Sequence, residues 1–144
     1  MGKIRHIAYR AADVEAMANF FVNALGMTIA QRRKNRGIDL TDGTINITVL
    51  PMQQPGPNGE APRQGIDHIG FAVENDEEAF RVLEAAGAQK IATIELGSAA
   101  HYEAKFKGPE GIVVDIGHWI GTEPVAAGED EGEATMQLPS IQKS

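Results

Sequence analysis

Apolar and polar positions follow the same rhythm in two stretches of the chain. Residues 4–26 read IRHIAYRAADVEAMANFFVNALG, and residues 66–87 read IDHIGFAVENDEEAFRVLEAAG. Each begins with period-two alternation, which predicts a strand. Ile7 and Tyr9 take one face of the first, and Ile69, Phe71 and Val73 take the corresponding face of the second. The period then becomes helical. Val14, Met17, Phe20, Phe21 and Leu25 recur along one side of a helix that Asp13 caps and Gly26 ends. Phe80, Val82 and Leu83 do the same in the second, between a cap at Asn75 or Asp76 and a stop at Gly87. Short strand signals follow each helix, at 28–31, 38–41 and 45–50 in the first half and 91–94, 102–107 and 112–116 in the second, with turns at 42–43 and 108–111. Repetition on this scale predicts a duplicated supersecondary unit, here βαβββ, and an α+β domain.

The two units span 4–50 and 66–118 in a single domain of residues 1–120. Between them, PMQQPGPNGEAPRQG at 51–65 is too rich in Pro and Gly for an element and reads as a linker. Residues 121–144, acidic and poor in large apolar side chains, read as a flexible tail, with Met136, Leu138 and Ile141 as an alternative docking cluster.

Strand parity selects the candidate chemistry. If Ile112, Val114 and Ile116 face the helices, Asp115 faces the other side of the sheet, and the same test sends His6, Ala8 and Arg10 there, with His68 and Gly70. The histidines stand at matching places in the repeats, 62 residues apart. Taken singly, each is an ordinary strand histidine or strand-end carboxylate. Together, two imidazoles and a carboxylate on one surface form a ligand set for Fe(II), Zn, Mn, Ni or Co, with positions left for water or substrate. Arg10 is a candidate to bind an anionic substrate oxygen, or else a strand-end charge reaching solvent. In HYEAKFK, Phe106 toward the helices leaves His101, Glu103 and Lys105 on the candidate face as acid, base or anion-binding groups. His118 falls on the helix-side phase, and Trp119 reads as packing or interface.

Composition narrows the partners. There are 20 acidic against 13 basic residues, for a net charge of −7, and the one basic run is Arg32, Arg33, Lys34 and Arg36, so no nucleic-acid surface is expected. With no cysteine, a metal must be bound through His and carboxylate. No apolar run approaches a membrane span and the N-terminal residues lack a signal-peptide core, so the expected location is the cytoplasm.

The pairing of DHIGFAV at 67–73 with GPEGIVVDI at 108–116 resembles the vicinal oxygen chelate superfamily, over residues 4 to 120. That superfamily includes glyoxalase I, methylmalonyl-CoA epimerase, extradiol dioxygenases, fosfomycin-resistance proteins and bleomycin-binding proteins. The resemblance implies a cup-shaped mixed sheet of two βαβββ modules, with metal ligands at His6, His68 and Asp115. Asp115 stands where Glu is usual. Where many isomerase and lyase members carry a fourth ligand, this chain has GTINITVL, with Asn46 and Thr48 facing the site and Thr48 the better match. The implied site is therefore two-His, one-carboxylate with a vacant corner, similar to that of the extradiol dioxygenases.

The implied function is a divalent-metal enzyme acting on a small substrate with vicinal oxygens, and Arg10 would suit an anionic one. Dioxygenation is slightly favoured over glyoxalase- or epimerase-like lyase or isomerase chemistry. The alternative of another class is a metal-free small-molecule binder. A homodimer is expected, since such cups close within one chain or between two.

Overall fold

In a computed structural model, which describes residues 2–59, 61–95 and 102–117, the elements follow the two-unit order. The first unit holds β1 (Lys3–Ala11), α1 (Val14–Leu25), β2 (Thr28–Arg32), β3 (Ile38–Thr41) and β4 (Asn46–Pro51). The second holds β5 (Gly65–Ala72), α2 (Asp76–Ala85), β6 (Gln89–Glu95), β7 (Tyr102–Lys107) and, after a 3-10 turn at Pro109–Gly111, β8 (Val113–Gly117).

Local chemistry starts and stops both helices. The Asp13 carboxylate accepts from the Ala16 amide at 3.0 Å, and the Asn75 side chain accepts from the Glu78 amide at 2.9 Å, each satisfying a donor that the first turn leaves without a partner. Gly26 ends α1 at φ 73, a left-handed conformation that costs a residue without a Cβ little.

All eight strands form one sheet in the order β2-β3-β4-β1-β5-β8-β7-β6. In each unit the first strand pairs in parallel with the last, β1 with β4 and β5 with β8, and the hairpin strands continue outward antiparallel. The units meet edge to edge where β1 pairs antiparallel with β5. That junction places β4, β1, β5 and β8 side by side at the centre of the sheet.

Both helices lie on one face. Tyr9, Ala11, Leu40 and Val49 pack with Ala18, Met17 and Phe21 of α1, while Phe71, Ala104, Phe106 and Ile116 pack with Ala79, Phe80 and Leu83 of α2. Burial of these apolar side chains, roughly 25 cal/mol per Å² removed from water, is the main force holding the layers together. The opposite face carries the residues of the other parity, and it is polar: His6, Thr48, His68, Lys105 and Asp115 are all buried there. No described helix is long and apolar enough to cross a membrane.

Candidate metal centre

Across the β1–β5 junction each histidine stands opposite a small residue. His6 pairs with Gly70 and His68 with Ala8, so both imidazoles have room to lean over the neighbouring strand. The fit at Gly70 is close enough that an added Cβ would fall inside the His6 ring. The rings meet edge to face with centroids 5.1 Å apart. Asp115, in register with Gly70 on β8, completes the group. Its Oδ2 lies 3.3 Å from His6 Nε2 and 3.1 Å from His68 Nε2, and one ligand atom from each residue lies within 4.8 Å of the others.

Asp67 fixes the orientation of His68. The His68 Nδ1–H donates to Asp67 Oδ2 at 2.7 Å, and Asp67 Oδ1 accepts from Arg10 Nε at 3.0 Å and from Arg63 Nη2 at 2.5 Å. Burial alone would raise the Asp67 pKa, but the bonds and charges of His68 and Arg10 outweigh it and hold the carboxyl well below the usual carboxylate range. His68 is itself shifted below the ordinary histidine value. Burial is the largest cause, with Lys105 and His6 adding to it and Asp115 and Asp67 opposing it. With His68 neutral, its hydrogen bond to Asp67 remains, and Arg10 adds both a hydrogen bond and a positive charge that favour the ionised carboxylate.

That tautomer has a consequence. With its proton directed at Asp67, His68 turns the Nε2 lone pair toward the Asp115 carboxylate oxygen at 3.1 Å. Two electron pairs held that close in a buried site call for a cation between them. Ligand atoms bound at about 2.1 Å to one divalent ion sit roughly 3.0–3.4 Å apart, matching the spacings around Asp115 Oδ2. Imidazole nitrogen with carboxylate oxygen also suits the first-row divalent metals.

Thr48 on β4 pairs with Ala8, two residues beyond His6, just as Asp115 on β8 pairs two residues beyond His68. The corner that Asp115 fills in the second unit is thus held by a hydroxyl in the first. Thr48 Oγ1 donates to Asp39 Oδ1 at 2.9 Å, and the buried Asp39 also accepts from Arg33 Nε at 3.0 Å. Asn46, in register with His6, is fully buried, and neither atom of its side-chain amide has a hydrogen-bond partner among the described residues.

Lys105 faces the site from β7, with Nζ 2.7 Å from Asp115 Oδ1. Arg10 points beside His68, its Nε on Asp67 and its Nη1 donating to the Pro51 carbonyl at 2.9 Å. His101, His118, Trp119 and the 121–144 segment lie outside the described residues. Strand parity did not reveal Arg5. The β1–β5 register shifts between Ile4 and His6, a bulge at Arg5, and both Arg5 and His6 are buried on adjacent positions. Arg5 Nη2 thereby comes within 3.6 Å of Asp115 Oδ2. Asp67 was also missed, although its place beside His68 in DHIG is a visible signal.

No curated protein sequence matches the chain. Solved structures share its fold at low identity. A hypothetical protein from Bacillus halodurans C-125 is 18% identical with a TM-score of 0.64, over 82% of this chain and 94% of that one. The Mn(II)-bound glyoxalase from Novosphingobium aromaticivorans is 17% identical with a TM-score of 0.66, over 96% of this chain but 48% of that one, so the chain spans about half of it. Methylmalonyl-CoA epimerase from Mycobacterium tuberculosis is 17% identical with a TM-score of 0.60, over 80% and 86% of the two chains. Identities this low establish the fold alone. The sequence profile of the Glyoxalase/Bleomycin resistance protein/Dioxygenase superfamily matches residues 3–116, and with its βαβββ pair and eight-stranded sheet the chain belongs to that superfamily.

Proposed function

We propose that this protein is a divalent-metal-dependent enzyme acting on a small substrate that offers two adjacent oxygens. The observation that carries the reading is the meeting of His6 Nε2, His68 Nε2 and Asp115 Oδ2 in a buried site, with the His68 lone pair aimed at the carboxylate. A divalent ion there would supply Lewis acidity toward the two substrate oxygens or, as Fe(II) with open positions, a place for O₂. The chain's own residues supply the rest. Asp67 holds the His68 tautomer, Arg10 holds Asp67, and Lys105 sits where it can pass or hold a proton at a bound oxygen.

Between the two reaction classes, the hydroxyl of Thr48 in place of a fourth carboxylate favours the open-sided, dioxygenase-like site. The glyoxalase and epimerase among the similar folds favour the lyase or isomerase reading, in which the same ion stabilises an enediolate-like anion. The metal itself, Fe(II), Zn, Mn, Ni or Co, stays part of the proposal, as do a cytoplasmic homodimer and catalytic places for Arg10, His101 and Lys105.

Elemental analysis of protein purified without added metal, beside His68→Ala, tests the central claim. Near-stoichiometric metal in the parent and its loss in the variant are expected. Metal in neither would favour a small-molecule binder of the bleomycin-sequestering kind. Oxygen uptake by the Fe(II)-loaded protein over catechols and 2-oxo acids separates the reactions, and its absence throughout would count against dioxygenation. Light scattering reads the dimer.

A further inference from the structure

One buried polar group on the site face has no place in the metal reading. Asn46 is 0% exposed, and neither its Oδ1 nor its Nδ2 has a hydrogen-bond partner among the described residues. A carboxamide taken out of water without replacement bonds is costly, and such groups are rare in folded proteins. Its neighbours do not supply the bonds. Thr41, paired with it on β3, donates its hydroxyl to the Ile45 carbonyl and accepts from the Gly43 amide. Thr48, two residues along β4, donates to Asp39, which Arg33 also holds.

The second unit shows that the fold itself has no need of an amide there. Asn46 is in register with His6, and the corresponding neighbour of His68 on β8 is Val113, one step before the Ile69–Val114 pair. An apolar side chain serves at the matching place. Ile47 and Val49 pack toward α1, so Asn46 lies on the opposite face with His6 and Thr48. Asn46, His6, Gly70 and Asp115 form one row across β4, β1, β5 and β8. The His6 ring leans along that row over Gly70, away from Asn46. With an ion held at the His6 and Asp115 end, Asn46 stands at the other, beside the part of a ligand that the metal does not bind.

Resting on the metal reading above, we infer that Asn46 is a specificity-determining residue. Next to its two metal-binding oxygens the substrate carries an uncharged group that both donates and accepts a hydrogen bond, a hydroxyl or an amide. The Nδ2–H donates to such a group and Oδ1 accepts from it, so the substrate satisfies both atoms of the carboxamide. A methyl in that place leaves both unpaired. A carboxylate pairs with Nδ2 but sets its oxygens against Oδ1. A site built to hydrogen-bond a substrate group discriminates against the analogue that lacks it, because its own buried polar atoms are then left without partners.

The test is calorimetric and needs no turnover. Racemic glycerate, racemic lactate and tartronate offer a metal the same hydroxyl and carboxylate oxygens and differ in the group beside them: hydroxymethyl, methyl or carboxylate. With Mn(II)-loaded protein, glycerate is expected to bind at least about fivefold more tightly than either of the others. Asn46→Val, the residue type of the second unit, should erase that preference while holding Mn(II) as tightly as the parent. Asn46→Thr, of the same shape as Val with a hydroxyl restored, should recover part of it. Without ligand, Asn46→Val should resist urea better than Asn46→Thr, since nothing in the free protein bonds a polar group there. Glycerate bound no better than lactate by the Mn(II)-loaded parent, or a preference unchanged in Asn46→Val, would overturn the inference and leave the metal reading standing. So would greater resistance to urea in Asn46→Thr, which would mark the place as one where the folded chain or buried water satisfies a polar side chain. If the parent binds no Mn(II), the metal reading falls and the inference with it.

Discussion

The imidazole of His6 on β1 occupies the volume that a side chain on Gly70 of β5 would fill. One residue's absence of a side chain therefore sets the position of a candidate ligand on another strand. Gly70→Ala should push His6 off the site. We expect destabilisation of about 1–3 kcal/mol from overpacking and a large loss of metal affinity. Denaturant unfolding and metal titration measure the two, and an unchanged metal affinity would contradict the arrangement.

Asp67 acts through His68. Asp67→Ala removes the acceptor for Nδ1–H and leaves Arg10 and Arg63 without their shared carboxylate. Metal affinity should fall about 10–100-fold, the usual effect of losing a carboxylate behind a histidine ligand. Competition with a chelator of known affinity gives the number. A retained affinity would mean that packing alone orients the ring.

Stability of the metal-free protein should fall as pH drops below the ordinary histidine range. The folded-state pKa of His68 lies below its value of 6.5 in an unfolded chain, so the unfolded chain binds the extra proton first. The stabilisation is complete above about pH 6.5 and is lost as pH falls toward the folded-state pKa. Asp67 has the same sign, but its contribution begins to be lost only near and below pH 3.8, outside this window. Tm recorded between about pH 7.5 and about pH 5.5 should decline with acidity, and His68→Asn should flatten the decline. A Tm that rises on acidification would show His68 to be stabilised as the cation.

Asp39 holds the other end of the polar face. Its carboxylate is fully buried between Thr48 and Arg33, whose side chain is 10% exposed. Asp39→Ala leaves that guanidinium without its partner and should cost about 3–5 kcal/mol. Asp39→Leu combined with Arg33→Met should recover most of the loss, since an apolar pair replaces an ionic one. Urea unfolding of the three proteins decides the matter.

Much of this site was legible because strand alternation is rigid. Once Ile69, Phe71 and Ile116 were assigned to the helices, His68 and Asp115 had to share the other face, and His6 followed from the repeat. The fragments HIA and HIG even carry the small residues, Ala8 and Gly70, that make room for the opposing rings. Arg5 was not legible, because a bulge suspends the alternation and nothing in IRHIA announces it. Asp39 and Arg33 escaped for another reason. The turn at 42–43 puts β3 beside β4, but gives neither the register that sets Asp39 opposite Thr48 nor the reach of Arg33 back onto Asp39. The stretch expected as a linker at 51–65 overlaps the strands at both ends, since β4 ends at Pro51 and β5 begins at Gly65, and the described residues between them form neither helix nor strand.

The seam between β1 and β5 belongs to a single polypeptide, and all three donor side chains hang from strands at or beside it. An ion bound as proposed would draw these three donors from one molecule. Dissociation of an assembly on dilution would leave the three in place, so their share of the ion's retention would be set by the folded chain.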